Sequence, residues 1–117
     1  MRLDARPLLE ALPDASFARV YLLYPDPWPK ARHNRRRFVS PETLGELHRV
    51  LMPGSLFLFA SDIADYVDWT RALVAEQGGF REFGDPSQTY ENWVQTRYEA
   101  KARRDGRSSA YLRFRRA

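Results

Sequence analysis

Two aspartates stand directly behind the two most apolar segments of the chain. Asp26 lies in segment 24–30, which also holds a tryptophan, a lysine and prolines at positions 25, 27 and 29. Three prolines restrict the backbone, so the segment would hold the Asp26 carboxylate and the Trp28 indole in fixed directions. Asp62 follows Ser61 behind the second apolar segment. A rigid turn without any chemical role is the plain alternative for segment 24–30.

A run of positive charge comes next. Residues 30–37 contain five Lys or Arg side chains, one His and no carboxylate. Behind the end of a strand, such arginines can hold nucleic-acid phosphates with forked hydrogen bonds, which position a substrate without selecting its sequence. A solvated face or a weak anion patch is the ordinary alternative. His33 by itself is more often a surface histidine than a catalyst.

The elements that must position these residues can be predicted from the apolar pattern. Segments 17–24 and 55–60 are short, apolar and aromatic, which is typical of buried strands. Between them, Ser40 as N-cap and Pro41 at the first helical position predict a helix that ends at 52–54. Two buried strands joined by a helix indicate a right-handed parallel crossover, whose strands end at one edge of the sheet. Ligands bind beyond that edge, so the two aspartates are candidate site residues.

The rest of the chain continues the same alternation. An apolar stripe from Tyr66 to Val74 predicts a second helix, which ends at Gly78-Gly79. Segment 80–83 is a predicted third strand, segment 98–104 is helical or irregular, and segment 110–115 alternates apolar with basic residues as a last strand would. The predicted order is β-α-β-α-β-β, and the fold class is α/β with a mainly parallel sheet.

Composition excludes several classes of protein. The 117 residues allow one domain, and 44% hydrophobic residues suffice for a core. There is no run of about 20 apolar residues for a membrane span and no signal-peptide pattern. Without cysteine, and with two histidines, we expect no disulfide and no metal site, and the cytoplasm is the expected location. The formal charge is +4, and 17 of the 19 basic residues are Arg, the better fork for phosphate.

Segment 24–37 closely resembles the signature Pro-Asp-Pro-Trp-x-Lys-x-Arg-His-x-Lys/Arg-Arg-Arg of bacterial tRNA (guanine-N7)-methyltransferases. Supporting segments occur in the order of that family, at 2–5, 51–54 and 61–62, and then at 96–99, which is followed by Lys101. The resemblance implies a methyltransferase that uses S-adenosylmethionine and tRNA. It also implies the carboxyl-terminal half of a Rossmann-like class I methyltransferase sheet, with an antiparallel last strand.

The resemblance also implies roles for individual residues. Asp26 matches the active-site aspartate near the methyl donor, and Asp4 matches the acidic position at the adenine end of S-adenosylmethionine. The positions matched to the substrate guanosine are Lys30, Asp62, Thr96, Arg97, Tyr98 and Glu99. The positions matched to the RNA-contacting stretch are Arg32, His33, Asn34, Arg35, Arg36 and Arg37. Two plain alternatives stay open, namely Asp62 as a helix N-cap and Glu99 as a surface ion-pair partner.

The chain departs from the family pattern in one respect. Its six glycines form no Gly-x-Gly motif, so we expect residues 1–117 to be a single partial domain without the amino-terminal Gly-rich half. Such a chain would bind S-adenosylmethionine weakly or not at all, and would self-associate or need the missing half. The alternative function is a non-catalytic basic module that binds RNA through residues 30–37 and 101–116. A structural α/β domain with incidental charge is a third interpretation.

Overall fold

The computed structural model describes residues 6–90 and 108–117. The sequence expectations for Asp4 and for residues 91–107, including segments 96–99 and 98–104, lie outside the described residues. Three α-helices, one 3₁₀ helix and four strands are described: α1 Arg6–Ala11, β1 Phe17–Leu23, the 3₁₀ helix Ala31–Arg36, α2 Pro41–Val50, β2 Leu51–Ser61, α3 Ala64–Gln77, β3 Phe80–Phe83 and β4 Ala110–Arg116.

The four strands form one sheet in the order β1-β2-β4-β3. β1 pairs with β2 in parallel, and β4 pairs antiparallel with both β2 and β3. Three strands therefore share one direction and β4 runs against them, which confirms the predicted fold class. The insertion of β4 between β2 and β3 was not predicted from the sequence.

β2 is longer than the sequence indicates, because it begins at Leu51 and not at Ser55. The pairing with β1 shifts between Phe17, which faces Leu51, and Arg19, which faces Leu56. The intervening β2 residues bulge out of the ladder. A bulge of this kind accommodates Pro53, which lacks an N–H to donate, and Gly54 at φ +82°.

Both long helices begin and end close to where the sequence predicts. Ser40 caps α2: its hydroxyl accepts from the Thr43 N–H at 3.2 Å, and its own N–H donates to the Thr43 hydroxyl at 2.9 Å. α3 ends at Gly78 in the left-handed conformation, φ 79°. The N-cap position of α3 is Ile63, without a side-chain cap, so the interpretation of Asp62 as the N-cap is wrong.

The two faces of the sheet carry different cores. The face under α2 and α3 holds the larger cluster, including Phe57 and Phe59 of β2. On the opposite face, Tyr90 packs in a smaller cluster, and its hydroxyl donates to the carbonyls of Phe59 (2.8 Å) and Leu112 (3.0 Å). Burial raises the pKa of Tyr90, so it remains a protonated donor. None of the described helices is both long and apolar enough to cross a membrane.

Candidate functional site

The carboxyl ends of β1 and β2 bring the two candidate aspartates to one edge. Leu23 is paired with Ala60, and the Tyr24 N–H donates to the Ala60 carbonyl at 2.8 Å. Asp26 lies two positions after Tyr24, and Asp62 lies two positions after Ala60. Neighbouring strands are about 4.8 Å apart, so both aspartates lie just beyond the ends of adjacent strands. The sheet thus brings Asp26 and Asp62 to the same edge, as the crossover argument predicts.

The start of β4 forms a further part of this edge. Ala110 is paired with Ser61, and the Tyr24 hydroxyl donates to the Ser109 hydroxyl at 2.8 Å. Sequence reasoning missed Tyr24 and Ser109, because nothing in the local pattern tells that the segment before β4 meets the end of β1. This hydrogen bond joins two segments that are 85 residues apart in the chain.

A pocket of about 160 Å³ lies beside Asp62. This volume is below the range of about 300–1,000 Å³ that is usual for whole-ligand sites, so it suits one ring system of a larger ligand. Asp68 of α3 also lines it and was not predicted. The lining residues are Ser61, Asp62, Ala64, Val67, Asp68, Ser108 and Ala110. Asp26 is not among them and is exposed on the loop at the neighbouring strand end.

The loop that carries Asp26, residues 24–30, has an unusual backbone. Tyr24 and Trp28 adopt positive φ angles of 50° and 42°, which are costly for residues other than glycine and persist only where the surroundings hold them. The Trp28 ring lies 5.1 Å from the Arg36 guanidinium carbon and 5.7 Å from the His33 ring. The loop is therefore held by residues of the basic segment that follows it.

Asn34 supports the same loop. With its amide nitrogen turned toward the loop, Asn34 donates to the carbonyls of Trp28 at 3.3 Å and Lys30 at 3.2 Å. The loop carbonyls thus lie within hydrogen-bond reach of an amide side chain in the 3₁₀ helix. Asn34 and His33 are both half-buried at this junction.

The basic segment divides into exposed and buried members. Lys30, Arg32, Arg35 and Arg36 are exposed, so their charges can reach a polyanion. Arg37 is 1% exposed, and its guanidinium contacts Pro27 and Asp65. Arg37 was expected to belong to the RNA-contacting stretch, and the structure places its guanidinium inside the protein, apart from the exposed members of the segment.

Five predicted site residues lie outside the described residues: Asp4, Thr96, Arg97, Tyr98 and Glu99. In the described ranges 6–90 and 108–117, no group of three or more His, Asp or Glu side chains is arranged to hold a metal ion. The described site thus consists of two carboxylate positions at one sheet edge, a pocket beside one of them and an exposed basic rim.

Solved structures titled as a methylase share this fold. Two crystal structures of a "Putative DNA Modification Methylase" from Thermus thermophilus match with TM-scores of 0.60 and 0.61 at 16% and 14% identity. Each match covers 97% of this chain and 51% or 52% of the solved chain, and the second structure is a complex with S-adenosyl-L-methionine. At this identity the likeness defines the class of fold, that of a methyltransferase domain.

The sequence then gives the family. A family described as "Putative methyltransferase" matches residues 1–112, and the chain belongs to this methyltransferase family. It is 56% identical over 116 residues to the "tRNA (guanine-N(7)-)-methyltransferase" of Rhizobium johnstonii, and 57% identical to that of Rhizobium etli. Each alignment covers 96% of this chain and 50% of the relative, so the chain spans about half the length of the curated relatives it matches. The family predicted from segment 24–37 is thereby confirmed.

Proposed function

We propose that this chain carries the substrate side of a methyl transfer from S-adenosylmethionine to N7 of a guanosine in tRNA. The observation that carries this proposal is the convergence of Asp26 and Asp62 at the carboxyl ends of paired parallel strands, in a chain whose relatives bear that activity in their names. Cytoplasmic location is part of the proposal, since tRNA is the substrate.

The chemistry requires alignment more than proton transfer. Guanine N7 carries a lone pair and no proton, so it needs no general base, and the purine gains positive charge as the bond to the methyl group forms. Asp26 stands on a loop stiffened by three prolines and would orient the reacting groups and stabilise that charge. A carboxylate held before the reaction acts without reorganisation cost.

S-adenosylmethionine, when bound, supplies a methyl group on a positively charged sulfur. The exposed Asp26 carboxylate at the sheet edge fits the cationic end of this cofactor. The described glycines lie in α2, in β2, after α3 and after β3, and none stands at the carboxyl end of β1 or β2. The described residues therefore suit the reacting end of the cofactor, and we assign none to its methionine part.

Asp62 is the candidate for holding the base. Its pocket suits one ring system, and a carboxylate can accept hydrogen bonds from the N1–H and N2–H₂ donors of guanine. A guanine held by that edge would present N7 on the opposite side of the purine. The exposed Lys30, Arg32, Arg35 and Arg36 would hold the tRNA backbone by its phosphates, independently of sequence.

The proposal includes a partner for the outer side of strand β1, which pairs with no other strand in the described sheet. β1 is an edge strand, and Phe17, Tyr21 and Leu23 on it are exposed by 37%, 44% and 37%. Unpaired strand edges with apolar side chains bind further strands. The relatives are about twice as long as the matched region, so we propose that residues of their other half pair with β1. Light scattering at several concentrations distinguishes this from self-association, which would appear as a dimer of the chain alone.

The test compares the chain alone with the chain fused behind the amino-terminal half of the Rhizobium etli relative. Both are incubated with unmodified tRNA and labelled S-adenosylmethionine, and the digested tRNA is analysed for 7-methylguanosine by mass spectrometry. The intact relative is the positive control and the Asp26→Asn fusion is the matched negative control.

We expect 7-methylguanosine from the fusion and its loss in Asp26→Asn. Methylation at another guanine atom would contradict the proposed substrate position. A fusion that binds tRNA and S-adenosylmethionine as the relative does, yet forms no product, would leave the non-catalytic RNA-binding module as the function of this chain.

A further inference from the structure

Arg37 differs from the other basic residues of segment 30–37. Lys30, Arg32, Arg35 and Arg36 are exposed, whereas Arg37 is 1% exposed and is among the largest fully buried side chains of the described chain. A buried guanidinium is costly unless its charge and its donors are satisfied by the protein. The partners of Arg37 therefore indicate what the residue does.

The described contacts of Arg37 reach two separate segments. Arg37 Nε donates to the Pro27 carbonyl at 2.6 Å, and Nη2 donates to Asp65 Oδ2 at 2.6 Å. The guanidinium carbon also lies 4.9 Å from the centre of the Tyr66 ring and 5.0 Å from that of Trp69. One side chain thus joins the loop 24–30 to the first turns of α3.

One candidate site carboxylate lies within one joined segment, and the other lies directly before the second. Pro27 directly follows Asp26, and α3 begins two residues after Asp62. The guanidinium is planar and its donors have fixed directions, so bonds to both segments define their separation and orientation. The costly φ of 42° at Trp28 lies next to the restrained carbonyl, where an outside contact is needed to hold it.

We propose that Arg37 is a positioning residue that holds Asp26 in place relative to Asp62, and that it makes no phosphate contact. The roles of Asp26 and Asp62 in this assignment rest on the proposed function. The contacts that hold the loop do not, because they follow from the geometry of Arg37, Pro27 and Asp65.

Three variants test the loop contact: Arg37→Met, Arg37→Lys and Asp65→Asn. The Asp65 side chain is 72% exposed and asparagine keeps an oxygen that can accept from Arg37, so we expect Asp65→Asn to fold even if Arg37→Met does not. Arg71→Met is the matched control, because Arg71 on the same helix pairs with Glu82 at 2.7 Å, away from the loop. Hydrogen exchange is followed in peptides covering 24–37 and, as reference, α2.

We expect exchange in 24–37 to rise about tenfold in Arg37→Met relative to α2, as for loss of a charged hydrogen bond. The increase should be smaller in Asp65→Asn and Arg37→Lys, and absent in Arg71→Met. In chain labelled with 5-fluorotryptophan, the ¹⁹F resonance of Trp28 should shift or broaden in the first three variants only. The proposal would be overturned if both Asp65→Asn and Arg37→Met left hydrogen exchange in 24–37 and the Trp28 resonance unchanged.

Salt dependence of tRNA binding tests the second half of the proposal. Replacing a phosphate-contacting arginine lowers the slope of log K against log salt by about 0.7–0.9. We expect that decrease in Arg35→Met and no decrease in Arg37→Met or Asp65→Asn. A full decrease in Arg37→Met with unchanged exchange in 24–37 would make Arg37 an RNA contact.

Turnover separates the two proposals. In the active fusion, Arg37→Lys should lower kcat while KM for tRNA stays within about twofold, since alignment and not uniform binding is lost. If the fusion forms no 7-methylguanosine but exchange in 24–37 rises as expected, the proposed function fails and the loop-holding role of Arg37 stands. Product formation with unchanged kcat in Arg37→Lys and Arg37→Met would refute the positioning role alone.

Discussion

At the amino end of β1 and β2, arginines donate to the backbone, whereas at the carboxyl end most of the described arginines have exposed side chains. Arg49 donates to the carbonyls of Leu9 at 3.2 Å and Leu12 at 2.7 Å, and Arg116 donates to the carbonyl of Leu51. Arg32, Arg35 and Arg36, at the other end, are exposed. The same residue type therefore builds the fold at one end and offers charge at the other.

Arg37 is the exception among the arginines at the carboxyl end, because its side chain is buried and contacts the protein. It lies in the sequence among exposed arginines but is used as the amino-end arginines are, for a carbonyl and a carboxylate of its own chain. Arg49 is engaged in the same way by Asp14 at 2.6 Å and Glu46 at 2.7 Å. The comparison teaches that the role of an arginine follows from the carbonyls and carboxylates within its reach.

The largest effect should come from the carboxyl end, in Asp26→Asn. We expect methyl transfer by the fusion to fall by about 100-fold or more, because removing one preorganised electrostatic group usually costs that much. The affinity for tRNA should stay nearly unchanged, since phosphate contacts dominate it. Radiolabel transfer and filter binding measure the two quantities. Loss of tRNA binding, or unchanged methyl transfer, in Asp26→Asn would contradict the assignment of Asp26.

The double variant Arg32→Met/Arg35→Met tests whether the exposed arginines offer their charge to RNA, because neither residue contacts the Trp28 ring as Arg36 does. We expect the salt slope of tRNA binding to fall by about 1.5, from two lost phosphate contacts. The midpoint of thermal unfolding should hardly move, as both side chains are exposed. An unchanged slope together with a lower midpoint would make these residues structural and remove the contrast between the two ends.

Arg49→Met is the opposite test at the amino end. We expect the midpoint of thermal unfolding to fall by several degrees, because the carbonyls that accept from Arg49 lose their donor. The salt slope of tRNA binding should equal that of the unaltered chain. Differential scanning fluorimetry gives the midpoint, and a changed slope would show that the amino end also contacts RNA.

The smallest effect concerns His48, beside Arg116 at the amino end. Burial and the Arg116 charge lower the pKa of His48 from its usual 6.5. As the pH drops below 6.5, His48 takes up a proton in the unfolded chain before it does so in the folded chain. The free energy of unfolding should therefore fall below pH 6.5, and it should level off once the pH is also below the pKa of His48 in the folded chain. Urea unfolding between pH 5 and 8 measures this, with His48→Gln as control. An equal pH dependence in His48→Gln would exclude His48 as its source.

Much of the fold could be predicted from the sequence because its signals are local. Ser40 and Pro41 mark the start of α2, and Gly78 marks the end of α3, through capping geometry that needs no distant partner. The apolar segments that became β1 and the regular part of β2 are recognisable for the same reason. The parallel crossover then follows from chirality and places Asp26 and Asp62 at one edge.

Strand order and strand length depended on partners that are distant in sequence. β4 has the same alternating pattern whether it lies at an edge or between β2 and β3, so only the hydrogen bonds of the folded sheet decide its place. Likewise, Leu51 belongs to β2 because Phe17 is available opposite it, and the bulge at Pro53 and Gly54 is tolerated there.

By itself, the sequence determined the family, the α/β class and the two carboxylates at the sheet edge, since these follow from local spacing and from motif residues. Only the tertiary structure decided that Arg37 is buried while its neighbours Arg35 and Arg36 are exposed. Three consecutive arginines look alike in a sequence. The difference arises because one of them lies within reach of the Pro27 carbonyl and Asp65, which are 10 and 28 residues away along the chain.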